Sequence, residues 1–172
     1  MTDTNYRIEA LGILLNKDCL IERYYPLLEF KEILIDGLLS LGCVRKNDIA
    51  QLKDEALSGI GLPDADRIRL FRRFLTIYDP DPRKFREISQ LCSDPAEQAA
   101  FSELYCLPGV KYTRASLYFL SGYRSLSDLA NAACDEVINK TAAAIAANQL
   151  SCKVPLPKEV RTHIAVAKAF LT

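Results

Sequence analysis

The chain has 172 residues, 49% of them apolar, enough to bury the core of one compact domain or of two small ones; this composition excludes an intrinsically disordered chain. Its 22 basic and 22 acidic residues cancel. No whole-molecule field therefore draws it to nucleic acid, an acidic membrane or an acidic partner, and any such attraction has to be local.

Apolar residues recur at helical spacing along nearly the whole chain, and strand-like alternation is scarce. The pattern predicts helices over 6–15, 19–24, 27–41, 48–54, 64–78, 82–91, 95–105, 113–121, 125–133, 135–150 and 157–171. The fold class is all-α. Local punctuation agrees: Asp64 and Asp66 follow Pro63, Ser125 precedes Asp128 at capping-box spacing, and Ser93-Asp94-Pro95 places a proline near a first helical position. No apolar run approaches the length of a membrane span, and the start, Met1-Thr2-Asp3-Thr4-Asn5, lacks a basic-then-apolar leader. A cytoplasmic protein is expected.

The stretch Tyr78-Asp79-Pro80-Asp81-Pro82 is the strongest boundary, because two closely spaced prolines forbid helix continuation. It predicts an N-terminal helical unit over 1–78, a linker over 79–84 and a C-terminal unit over 85–172. Shifting the chain by about 80 residues aligns Tyr25 with Tyr105, Gly42 with Gly122, Asp48 with Asp128 and Ala50 with Ala130. Two similarly built halves are therefore expected.

Within each half one segment reads as a turn between two helices, over 57–68 and 107–118. Gly59-Ile60-Gly61 and Gly109-Val110-Lys111 each begin with glycine and an aliphatic residue, with Ala65 or Ala115 six positions after the first glycine and Ile68 or Tyr118 nine after it. Glycine permits the turn, the aliphatic side chain plugs the gap between helices, and the small alanine lets them approach. Each turn opens onto a helix N-terminus, whose unpaired N–H groups suit a phosphate. Both segments resemble the helix-hairpin-helix superfamily, and the run from Arg114 to Leu129 is similar to the C-terminal domain of the RNA polymerase alpha subunit, a member of that fold. The resemblance implies tandem hairpin units that hold nucleic-acid backbone without reading sequence, through Gly59, Ile60, Gly61, Arg67, Gly109, Val110, Lys111 and Arg114. Pro63 and Thr113 stand where the family's usual basic residue falls, and Lys111 replaces a second glycine. The repeat further implies degraded hairpins near Glu29-Phe30-Lys31 and Asn139-Lys140-Thr141.

Arg67, Arg69, Arg72 and Arg73 form the densest basic cluster; it is either a phosphate-facing surface or a solvated face matched to the helix dipole. Lys111, Arg114 and Arg124 lie among Tyr112, Tyr118 and Tyr123, a mixture that nucleic-acid surfaces and helical cores both contain. Arg83, Lys84 and Arg86 either extend a basic surface between the halves or are simply solvated. His163, the single histidine, sits in an apolar helix and reads as structural. The six cysteines are dispersed, with no Cys-x-x-Cys pair, so they are expected reduced, mostly buried and without metal. No catalytic constellation, Walker loop or dinucleotide fingerprint appears, and no cofactor is expected. The expected function is non-enzymatic nucleic-acid backbone binding; the alternative is a protein–protein interaction module built from the same helical units.

Overall fold

The computed structural model describes residues 4–172. They form α1 (Leu11–Leu14), α2 (Lys31–Ser40), α3 (Lys46–Ile49), α4 (Asp54–Gly59), α5 (Ala65–Thr76), α6 (Pro82–Leu91), α7 (Pro95–Leu104), α8 (Tyr112–Leu120), α9 (Leu126–Ala130), α10 (Cys134–Asn148) and α11 (Pro157–Phe170). Two 3-10 segments, Ile8–Ala10 and Glu22–Phe30, complete the set. An isolated antiparallel bridge joins Arg7 to Arg45, and no sheet forms among the described residues. The chain is all-α, and none of its described helices is long and apolar enough to cross a membrane.

Side-chain caps fix several helix starts. Asp64, Asp81, Asp94 and Ser125 accept from the backbone N–H groups of Arg67, Arg83, Glu97 and Asp128, and Pro82, Pro95 and Pro157 occupy first turns where a missing N–H costs nothing. Where the structure departs from the periodicity, local chemistry explains it. Pro26 cannot donate, and the stretch around it winds as a 3-10 segment that runs straight into α2. The helix predicted over 48–54 is instead the end of α3 followed, beyond Leu52 and Lys53, by the start of α4.

The 80-residue offset has a clear structural counterpart over one stretch. Gly42 and Gly122 both have positive φ, +81° and +91°, so each closes a helix in the left-handed conformation. The Cys43 N–H donates to the Leu38 carbonyl at 3.0 Å as Tyr123 does to Tyr118 at 2.9 Å, and the carboxylates of Asp48 and Asp128 accept from the N–H groups of Val44 and Arg124, both at 2.8 Å. The correspondence then ends. Gly59 falls opposite Asn139, inside the unbroken helix α10, and the segment opposite the Gly109 turn is the 3-10 to α2 junction. The two degraded hairpins are therefore absent: the Ala-rich run after Lys140 propagates a helix where Gly59 to Pro63 stops one.

The buried side chains on both sides of the Asp79–Pro82 crossing belong to one core. Helix α11 packs against α1 and the Ile8–Ala10 turn as well as against α9 and α10, and the Phe170 ring stacks on Tyr6 with centroids 6.1 Å apart. Helix α5 contributes Ile68, Phe71, Phe74 and Leu75, with Phe74 edge-on to Tyr24 and Tyr78. Cys19, Cys43, Cys92 and Cys106 are buried and Cys134 and Cys152 half-buried, none in a disulfide.

Candidate nucleic-acid interface

The two predicted turns are both present, between α4 and α5 and between α7 and α8, but they meet different surroundings. The first is seated on α2. A Cβ built at Gly37 would stand 2.5 Å from the Cβ of Ile60, and one built at Gly61 would stand 2.6 Å from Cγ2 of Ile33, so Ile60 and Gly61 serve a close helix-to-turn approach. Gly59 remains exposed. The N-terminus of α5 already has an anion. Asp64 Oδ1 accepts the Arg67 N–H at 2.7 Å, and Asp66 lies in the same first turn. A phosphate there meets two carboxylates.

The arginines of α5 are largely engaged within the chain. Arg69 pairs with Asp66, and Arg72 donates to Asp54 Oδ1 from Nε (2.9 Å) and Nη2 (2.7 Å), with Nη2 also reaching the Leu52 carbonyl. Arg67 is half-buried, its Nε lacking an acceptor among the described residues, and Arg73 alone of the four is both exposed and without an ion pair among them.

The second turn is open where the first is closed. Val110 is fully buried as the plug, Gly109 and Lys111 are exposed, and no atom lies within 4 Å of a Cβ built at Gly109. Lys111 occupies the N-cap of α8 but supplies no capping acceptor, so the N–H groups of Tyr112, Thr113 and Arg114 have no partner among the described residues. Arg114 does not join them. Its Nε and Nη2 hold Glu159 of α11 at 2.8 and 3.3 Å, and Nη1 donates to the Lys153 carbonyl. Arg114→Ala is expected to cost about 1–2 kcal/mol in urea unfolding, because it strands a half-buried carboxylate.

His163 ties this turn to the body of the protein. Buried on α11, it contacts the Pro108 carbonyl through Nε2 at 3.0 Å and the Tyr118 hydroxyl through Nδ1 at 2.7 Å. A carbonyl only accepts, so Nε2 carries the proton and Nδ1 accepts from Tyr118. Burial holds the imidazole below its ordinary pKa, against the opposing pull of the Pro108 bond, and burial drives the Tyr118 phenol upward. Lys84 of α6 adds a donor to the Val110 carbonyl at 3.3 Å.

Of the eight predicted residues, Gly109, Val110 and Lys111 come together at an open helix start, Arg114 turns to Glu159, and Gly59, Ile60, Gly61 and Arg67 belong to the turn seated on α2. Sequence reasoning missed Gly37, Glu159 and Pro108 as the partners that decide this. The Gly-Leu-Leu spacing around Gly37 carries no signal of its own, whereas Pro157-Lys158-Glu159 marks a helix start whose acid is free to receive an arginine. Among the described residues no group of three or more His, Cys, Asp or Glu side chains is placed to hold a metal. No protein-family model, curated protein or solved structure matches the chain, so its function rests on its own residues.

Proposed function

We propose that the chain is a helix-hairpin-helix protein that holds nucleic-acid backbone without sequence preference, and that it does so at its second turn, Gly109 to Thr113. The observation that carries this reading is the uncapped start of α8: three N–H groups without acceptors among the described residues, beside an exposed Lys111 that has no ion pair among them and a glycine with open space over it. The first turn, with Asp64 at its helix start, acts as a packing element.

The test is a low-salt titration of fluorescently labelled duplexes of unrelated sequence, closed at both ends by loops, read by fluorescence anisotropy. Binding is expected to be similar across unrelated sequences and to weaken with salt at a log–log slope of about −1 to −2, since one or two phosphates are neutralised. Lys111→Glu should weaken it about tenfold or more on every sequence, while Arg73→Glu, an equal charge change on an exposed residue outside the turn, should alter it less. No binding by folded protein rejects the reading. The protein-docking alternative then stands, favoured by the internal pairing of Arg69, Arg72 and Arg114 and by the zero net charge.

A further inference from the structure

A cleft of about 320 Å³ lies beside the second turn, where the Tyr78–Pro82 crossing passes the 3-10 segment and α6. Its rim carries Arg23, Asp79, Lys84 and Gly109, and Ile77 and Leu107 line its walls. We infer that this cleft binds a phosphate monoester the size of one nucleotide, its phosphate held between Arg23 and Lys84 against the Gly109 turn.

The charge balance points to an anion. Arg23 comes from the 3-10 segment and stacks over the Tyr24 ring at 5.1 Å; Lys84 comes from α6 and its amine donates to the Val110 carbonyl. Neither makes a salt bridge with a carboxylate among the described residues; Asp81, which Arg83 already holds, is within electrostatic reach of Lys84. The one acid on the rim, Asp79, is already paired with the buried amine of Lys46, so the uncompensated charge is that of the two cations. The backbone points the same way. The Leu107 and Pro108 carbonyls are engaged by the Val110 N–H and by His163, whereas the Gly109 N–H has no acceptor among the described residues.

Two cations from separate elements suit a monoester, which carries about −1.5 to −2 at pH 7, better than a carboxylate or an in-line diester of single charge. Size and shape agree, since the volume is at the lower end of small-ligand sites of about 300–1,000 Å³. A terminal phosphate projects into a concavity. An internal diester on a duplex surface does not. This site borders the Gly109 turn of the proposed backbone contact but rests on Arg23 and Lys84, which that contact does not use, so either can fail without the other.

Calorimetric titration in low salt with adenosine 5′-monophosphate, adenosine, inorganic phosphate, and one oligonucleotide with either a 5′-phosphate or a 5′-hydroxyl tests the assignment. The monophosphate is expected to bind and adenosine not to, with inorganic phosphate competing. Arg23→Gln and Lys84→Gln should each weaken monophosphate binding about tenfold, as loss of one charge-assisted contact predicts. Lys84→Arg should retain it. Tighter binding of the 5′-phosphorylated strand than of the 5′-hydroxyl strand identifies the ligand as a strand end; monophosphate binding with no difference between the strands identifies it as a free nucleotide. Equal binding of adenosine and its monophosphate, no binding of either, or full affinity in the folded Arg23→Gln or Lys84→Gln protein overturns the assignment. Melting curves establish that each variant is folded.

Discussion

Gly37→Ala should destabilise the protein by about 1–3 kcal/mol, the usual range for overpacking, although glycine to alanine inside a helix ordinarily stabilises by about 1 kcal/mol. The sign reverses because the new methyl would stand 2.5 Å from the Cβ of Ile60 and 2.9 Å from its Cγ2. A Cβ is fixed by its own backbone, so no rotamer of Ile60 relieves the contact and the whole turn has to lift from α2. Gly61→Ala meets two obstacles, the Ile33 methyl at 2.6 Å and a φ of +111° that alanine adopts poorly. Ile33 is 48% exposed and free to rotate, so the backbone term dominates there. Urea unfolding of Gly37→Ala in the parent and in an Ile60→Gly background isolates the contact: a cost present in the first and absent in the second is the expected result. Equal or greater stability in both would mean that the turn does not seat on α2.

Replacing His163 with phenylalanine is the second large change, about 2–4 kcal/mol at pH 7.5, since the ring volume survives while the Tyr118 hydroxyl and Pro108 carbonyl lose their buried partner. Acid should narrow the gap. The folded protein resists protonating this imidazole, whereas the unfolded chain takes the proton near pH 6.5, so the histidine's contribution is complete above about 6.5. It is lost progressively as pH falls from there through the lowered folded value, by at most about 1.4 kcal/mol per pH unit. Glu159 favours the charged ring and Arg114 opposes it, yet burial outweighs both. Urea midpoints of parent and variant at pH 7.5, 6.0 and 5.0 measure the difference directly, and a gap that widens in acid would contradict the assigned protonation state.

The parts of the fold legible in the sequence were those set by local chemistry. Asp64, Asp94 and Ser125 announce helix starts because a cap is made within three residues, and the paired Gly42 and Gly122 turns are visible because a left-handed residue and its following aspartate are both local requirements. The unity of the core was not legible. Two prolines near residue 80 do stop a helix, but nothing in their neighbourhood tells that Phe170 will lie on Tyr6. The candidate site divides in the same way. That Gly109 turns the chain follows from residue type, but the first turn is made at positive φ by Gly61 and not by Gly59, which ends α4; which turn stays open is decided by Gly37, Glu159 and His163, partners 23 to 55 residues away in sequence.

The contact of α11 with α1 also sets the order in which the molecule is made. During synthesis the amino-terminal elements leave the ribosome more than 100 residues ahead of the helix that covers them. Until Val160 to Phe170 emerge, the apolar sides of Leu11, Leu14 and Tyr6 have no lid, and a nascent chain halted at the Asp79–Pro82 crossing exposes that surface. Cleaving the finished protein at the same crossing has the opposite consequence. The two fragments hold complementary halves of one interior, and they should stay together as a nicked, folded complex rather than part as two domains.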